Sequence, residues 1–296
     1  MGGLLAAVEL GGTKALAAVA TDPLRPLRQT RIPTRDPVST LDAIADFFDE
    51  AKREFGAPGA LGIASFGPIH IRRGSPDWGR MAQTPKPGWQ GVDLAGTLAA
   101  RLGCPVNLET DVNGAALAEA RWGAARGLSS IVYLTVGTGI GGGLVIDGKP
   151  VHGALHPEIG HVRLHRHADD DYRGRCPYHP DCAEGLASGP AIMERYGHSL
   201  ERMDWNHPFR VILADYLGQL CSTLVLVASP QRIVVGGGVM TGGGLHGPID
   251  AAMRTWLAGY LEPGSPGVSP FIVPPGLGDH SGLAGGFALA QDLLGE

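Results

Sequence analysis

Residues 131–146 read I-V-Y-L-T-V-G-T-G-I-G-G-G-L-V-I, and the pattern after the first glycines decides the fold. Gly137, Gly139 and Gly142 formally match G-x-G-x-x-G, the turn that opens a helix in a dinucleotide-binding unit. No helical pattern comes next. Leu144 to Ile146 is apolar, Asp147-Gly148 is a hairpin turn and Val151 resumes the run, so the segment reads as strand, glycine turn, second strand. The same arrangement stands at the N-terminus, where Leu4 to Leu10 is apolar, Gly11-Gly12-Thr13-Lys14 turns, and Ala15 to Ala20 is apolar again. Backbone N–H groups of glycines, a threonine hydroxyl and a lysine ammonium are suitable donors for a phosphate. Neither turn is a Walker A loop, which needs G-x-x-x-x-G-K-[ST] leading into a helix. Two such hairpins in one chain suggest a duplicated phosphate-binding device.

Outward from these hairpins, strands and helices alternate, which makes the chain α/β. Ser39 is read as the cap of a helix running through Phe55, with Leu41, Ile44, Phe48 and Ala51 on one face and Gly56 as its stop. Leu61 to Phe66 is a buried-type strand ending at Gly67-Pro68. Ile69 to Asp93 contains T-P-K-P-G-W and reads as a long surface loop. A helix from Asp93 to Leu102 leads to a strand, Val106 to Thr110. Asp111 follows directly, and Asn113 is read as the N-cap of a helix to about Arg126. A carboxylate at a strand end lies where open α/β sheets bind ligands, although helix capping is the plainer role. Ser188-Gly189-Pro190 starts a helix to Arg195, and Pro208 to Ala228 is a long helix. Arg232 to Val235 is a strand ending in Gly236-Gly237-Gly238-Val239-Met240, whose bare glycines let a flat ring lie against backbone. Pro248 to Leu261 and Ser281 to Leu294 are the last helices.

Val151 to Glu184 carries a different chemistry. Cys176, His179 and Cys182 form C-x-x-H-x-x-C, with Glu184 two residues later and the pair Glu158/His161 upstream in P-E-I-G-H. Imidazole and thiolate are the ligands tetrahedral zinc prefers. A fourth ligand is needed; His161 is the nearest candidate flanked by other functional groups, and His156, His165 and His167 lie close by. Four protein ligands make a structural site without an open position for a water nucleophile, which argues against a metal-dependent hydrolase.

The chain has 296 residues, enough for two domains, with 44% hydrophobic and 18% charged residues. A net charge of −5 offers no footprint for nucleic acid or an anionic membrane. Four cysteines in a chain of this length are no disulfide scaffold, so a reducing, cytoplasmic location is expected. The apolar N-terminus lacks a basic region and is broken by Glu9 and Lys14, unlike a signal peptide, and nothing in the sequence is read as approaching a membrane span.

Together, V-E-L-G-G-T-K, A-S-F-G-P, T-P-K-P-G-W, E-T-D-V-N-G-A, T-V-G-T-G-I-G-G-G, P-E-I-G-H, C-P-Y-H-P-D-C-A-E-G and V-V-G-G-G-V-M resemble the ROK family of sugar kinases, with the closest likeness to its bacterial fructokinase (mannofructokinase) branch. The resemblance covers essentially the whole chain. It implies a two-domain actin/hexokinase-like ATPase fold with a duplicated ribonuclease H-like motif, divided as 1–112 plus 282–296 and 113–281. It implies ATP, Mg²⁺ and a structural Zn²⁺ as cofactors, a hexose as the small-molecule partner, and a homodimer. The expected reaction is ATP-dependent phosphorylation of D-fructose at its C6 hydroxyl, with mannose as a second acceptor. Glucose or an N-acetyl amino sugar is the alternative. A sugar-responsive regulator is set aside, because such members carry an N-terminal helix-turn-helix extension and this chain starts directly at the first phosphate strand.

By residue, the resemblance implies Asp111 as catalytic base. Gly67, Thr110, Asp111, Glu158, His161 and Glu184 are implied as sugar contacts. Gly11, Gly12, Thr13, Lys14, Thr135, Gly137, Thr138 and Gly139 make the phosphate loops, and Pro190, Gly236, Gly237, Gly238 and Met240 the rest of the nucleotide site. Glu9 is implied near Mg²⁺, through water, and His161, Cys176, His179 and Cys182 as zinc ligands. Two departures stand out: His179 replaces a cysteine common in the metal loop, and Thr110 stands where many hexose kinases have Asn.

Overall fold

The computed structural model describes residues 3–264 and 270–295, which form two compact units. One comprises Met1–Ala118, Pro150–His156 and Asp279–Glu296; the other comprises Glu119–Lys149 and Pro157–Gly278.

In the first unit, β1 (Leu5–Leu10) and β2 (Lys14–Ala20) form the N-terminal hairpin, and β3 (Arg28–Pro33) adds an edge strand. Helix α1 (Pro37–Phe55), β4 (Ala60–Ser65), α2 (Leu94–Leu102), β5 (Val106–Thr110) and, as far as Ala118, α3 (Asp111–Trp122) follow. The sheet order is β3-β2-β1-β4-β5, antiparallel on the β2 side of β1 and parallel on the β4 side. Both faces are covered, which is why β1 reads as a continuous apolar run. Ala6, Val8 and Leu10 join a core with Leu41, Ile44 and Phe48 of α1, while Leu5 and Ala7 pack on Leu283 and Phe287 of the C-terminal helix, Ser281–Leu294. That helix comes very close, since a Cβ on Gly62 of β4 would lie 1.8 Å from the Gly286 carbonyl oxygen.

The second unit contains β6 (Ile131–Val136), β7 (Ile140–Ile146), α4 (Ala183–Ala187), α5 (Gly189–Tyr196), α6 (Phe209–Ala228), β9 (Arg232–Gly236), α7 (His246–Leu257) and β10 (Ile272–Val273), together with Lys149 of the two-residue β8 (Lys149–Pro150). The second sheet runs β10-β9-β6-β7-β8. Taken from the other end, it repeats the first: a hairpin, an edge strand beyond its second member, and two parallel strands beyond its first. The duplication inferred from two glycine turns is thus a duplication of whole sheets.

Several local expectations are corrected. Helix α1 is capped by Asp36, whose Oδ1 accepts from Ser39 N at 3.0 Å; Pro37 starts the helix, so Ser39 sits inside its first turn. Likewise Asn113 lies within α3, which begins at Asp111, and the cap is the Thr110 hydroxyl, accepting from Asn113 N at 3.2 Å. Strand β7 begins at Ile140 rather than Leu144, so Gly141 to Gly143 are strand residues, and Ile159 packs against Gly142, where a Cβ would stand 2.7 Å from its Cδ1. The 69–93 loop is no mere surface loop, because Ile69, Met81 and Trp89 are fully buried in the first core.

Among the described residues one helix is long and apolar enough to cross a membrane by length and composition, against the expectation that none approaches this. Over its most apolar 18 residues helix α6 has a mean hydropathy of 1.8, and 67% of them are buried. It packs closely on α7, with Gly218 against Ala252, which explains its apolar character.

Candidate active site

In the first unit, β1 delivers Glu9 and the turn 11–13. The carboxyl of Glu9 lies under the start of the C-terminal helix, where a Cβ on Gly282 would stand 2.4 Å from its carboxyl carbon. Burial, then the neighbouring Asp111 carboxylate, raises Glu9 to about 7; Asp279 adds to this, while Lys14 and the Leu283 N–H pull the other way. Glu9 Oε2 is buried and accepts no hydrogen bond among the described residues. An orphaned carboxylate oxygen beside two further carboxylates suits a hard divalent cation such as Mg²⁺, which prefers oxygen ligands. Asp111 opens α3 at the end of β5, with its Oδ1 accepting from Val112 N at 2.9 Å. Thr110 spends its hydroxyl on the cap, and Gly67 lies against the His156 ring, 3.3 Å from where a Cβ would stand.

A buried carboxylate that sequence reasoning missed precedes them. Glu109 is 5% exposed and accepts from Asn113 Nδ2 at 2.9 Å and from His152 Nε2 at 2.5 Å. This bond raises the His152 pKa, partly offset by burial. The signal was available as E-T-D-V-N, with Glu109 and Asn113 four apart across the strand–helix corner.

In the second unit, the β6–β7 turn is closed by Gly137 N donating to Gly139 O at 2.8 Å, and Gly189 at the start of α5, next to Pro190, donates to Gly137 O at 2.8 Å. Glu184, on α4, accepts from Ile140 N at 3.1 Å, so the carboxylate expected on the sugar also holds this turn. Gly160 in P-E-I-G-H is demanded by packing, since a Cβ there would fall 1.7 Å from the Ile140 carbonyl oxygen. Glu158 beside it is exposed and His161 is half-buried.

The three glycines after β9 are not equivalent. Gly237 has φ 95°, and a Cβ would meet Val136 backbone at 2.4 Å; Gly236 faces Pro275 and the Tyr133 hydroxyl. Only Gly238 borders open space, so it alone of the three leaves room for a ring against backbone. Met240 is buried.

His161 Nδ1, Cys176 Sγ, His179 and Cys182 Sγ converge, with ligand atoms all within 4.8 Å of one another. The separations Cys176–His161, Cys176–His179 and Cys182–His161 are 3.8, 3.6 and 3.7 Å. A tetrahedral zinc with its usual bonds places N and S about 3.6 Å apart, so the donor set fits that ion. Burial pushes the Cys182 thiol up to about 12, so a thiolate there needs a cation beside it. The other histidines are engaged elsewhere: His156 Nε2 accepts from Ile69 N, His165 stacks on Trp256, and His167 Nδ1 accepts from Asp169 N.

Known proteins are similar to this chain over nearly its whole length. The ROK family profile matches residues 5–293. A fructokinase from Zymomonas mobilis is 46% identical over 96% of this chain and 95% of its own length. Among solved structures, a ROK hexokinase from Thermus thermophilus superposes with a TM-score of 0.78 at 30% identity, covering 99% of both chains. A ROK family glucokinase from Streptomyces griseus, in complex with glucose and AMPPNP, gives 0.76 at 27% identity over 98% of this chain and 100% of the other.

Proposed function

The chain belongs to the ROK family, and from that premise we propose that it is an ATP-dependent hexose kinase that phosphorylates D-fructose at the C6 hydroxyl. The observation that carries the reading is the pair of like-built sheets, each presenting a glycine hairpin turn with a threonine in it. The choice of fructose is supported by the similarity to the Zymomonas mobilis fructokinase.

Asp111 is the base that accepts the proton of the attacking hydroxyl. Glu158, His161 and Glu184 contact sugar hydroxyls, with Gly67 and Thr110 lining the same acceptor. Gly11 to Lys14 and Thr135 to Gly139 bind the phosphates; Pro190, Gly238 and Met240 border the adenosine. Glu9, with Asp279 adding negative charge beside it, would hold Mg²⁺ through water, and the ion when bound neutralises charge on the transferring phosphates. The protein's own share is positioning of the acceptor and removal of its proton. His161, Cys176, His179 and Cys182 would hold a structural zinc. The enzyme acts as a homodimer in the cytoplasm, where free cysteines stay reduced.

A coupled assay of ADP release over fructose, mannose, glucose and N-acetyl amino sugars tests the reading. Fructose is expected to give the highest kcat/KM, with mannose next. ADP release with none of them, or faster turnover of glucose than of fructose, overturns it.

A further inference from the structure

The T-P-K-P-G-W loop reaches back to the first glycine turn. Lys86 Nζ donates to Gly12 O at 2.5 Å and to Thr34 O at 3.4 Å. Thr34, itself buried, donates from its hydroxyl to Gly11 O at 2.8 Å and from its N–H to Thr13 O at 3.0 Å. All three carbonyls of the turn 11–13 are therefore tied to protein donors. Their peptides are trans, so each following N–H points opposite to the carbonyl it shares a plane with. Fixing Gly11 O and Gly12 O against Thr34 and Lys86 thus aims the Gly12 and Thr13 N–H groups the other way, and neither has a hydrogen-bond partner among the described residues.

The loop is built to hold this lysine still. Pro85 and Pro87 fix the backbone on either side of it. Trp89 is fully buried, packs edge-on against Phe66 and donates its indole N–H to Arg35 O at 2.9 Å. The Thr84 hydroxyl donates to Gly67 O at 3.4 Å. A mobile surface lysine needs no such support.

We propose that Lys86 is a positioning residue for the nucleotide phosphates, holding the Gly12–Thr13 peptide so that the turn's N–H groups face the anion. This rests on the kinase reading above. Lys86 acts through the turn, whereas Lys14, the first residue of β2, carries a charge to the same anion.

The test compares Lys86→Met, Lys86→Arg and Thr34→Val with the wild-type chain, by steady-state kinetics in both substrates and by calorimetric titration with MgADP. Losing one charge-assisted donor is expected to raise the MgADP Kd and the KM for ATP roughly tenfold in Lys86→Met. The KM for the hexose should stay within about twofold. Lys86→Arg keeps a donor and should recover nucleotide affinity to within about threefold, and Thr34→Val, which removes the second tie without touching any charge, should weaken it like Lys86→Met. If Lys86→Met fails to fold, the Arg and Val variants decide. Unchanged MgADP affinity in Lys86→Met or Thr34→Val, or a change confined to the hexose KM, overturns the proposal. Absence of hexose phosphorylation by wild-type chain that still binds MgADP overturns the kinase reading and leaves the titration to judge Lys86. Wild-type chain that binds no MgADP overturns both.

Discussion

Glu184 Oε2 lies 3.1 Å from the Ile140 nitrogen and would touch any Cβ placed on Gly139, at 2.6 Å. The helix that follows the Cys/His loop therefore braces the second glycine turn. Glu184→Ala removes an acceptor from a backbone N–H, a loss of about 1–3 kcal/mol. We expect Tm to fall by roughly 3–8 °C and kcat/KM for the hexose to fall about tenfold or more. Glu184→Gln retains an acceptor oxygen and should keep most of the Tm. Calorimetric scans showing equal losses in both variants would remove this brace.

Asp111→Asn keeps an oxygen to accept from Val112 N, so the start of α3 should survive. It cannot take a proton. Turnover should drop by roughly 10²–10⁴, the range for losing a general base, while MgADP affinity is retained. Near wild-type kcat would refute the role.

Glu9 makes the pH prediction. Its carboxyl is raised from an ordinary 4.5 to about 7 by burial and by Asp111. Between those values the folded chain keeps a proton that the unfolded chain has released, so the stability contributed by the protonated form is complete below 4.5 and is lost as pH rises through 7. The cost at high pH is of the order of 3 kcal/mol. Without divalent cation, Glu9→Gln should melt several degrees above wild type at pH 8 and alike at pH 4.5. Added Mg²⁺ should stabilise the wild type at pH 8 and leave the variant unmoved. Equal melting of the two at pH 8 contradicts this account.

For the metal loop, elemental analysis should find one zinc per chain, and a cobalt-substituted sample should show tetrahedral ligand-field bands. Chelation should lower Tm without erasing the far-UV circular dichroism. The segment ahead of the loop has its own anchor, a buried pair in which Arg195 contacts Asp170 at 2.8 Å and Tyr216 donates to the same carboxylate at 2.6 Å. A Cys182→Ala variant with full zinc content would rule the assigned ligands out.

Legibility followed locality. Both hairpins, their turns and the C-terminal helix Ser281–Leu294 were readable, since apolar period and glycine punctuation are local signals. β10, at two residues, was missed because such a strand exists only by pairing with a neighbour, whereas the Asp147-Gly148 turn pointed to β8, which lies at Lys149–Pro150 just ahead of Val151. β3 was missed because R-Q-T-R-I-P is mostly polar, as an edge strand can be. Burial of Trp89 was hidden by the prolines and glycines around it, which look the same in a solvated loop and in one folded onto a core.

By itself the sequence determined the two strand–turn–strand units, the α/β class and the residue types able to bind phosphate, sugar and zinc, because these depend on neighbours within a few positions. Tertiary structure alone decided that His161 joins the cysteines while His156, His165 and His167 are engaged elsewhere, that Gly236 and Gly237 are filled by packing, and that Lys86 clamps Gly12 from 74 residues away. Such pairings form only once distant segments are packed together. The energy that selects them is contact and hydrogen bonding between groups the linear order keeps apart.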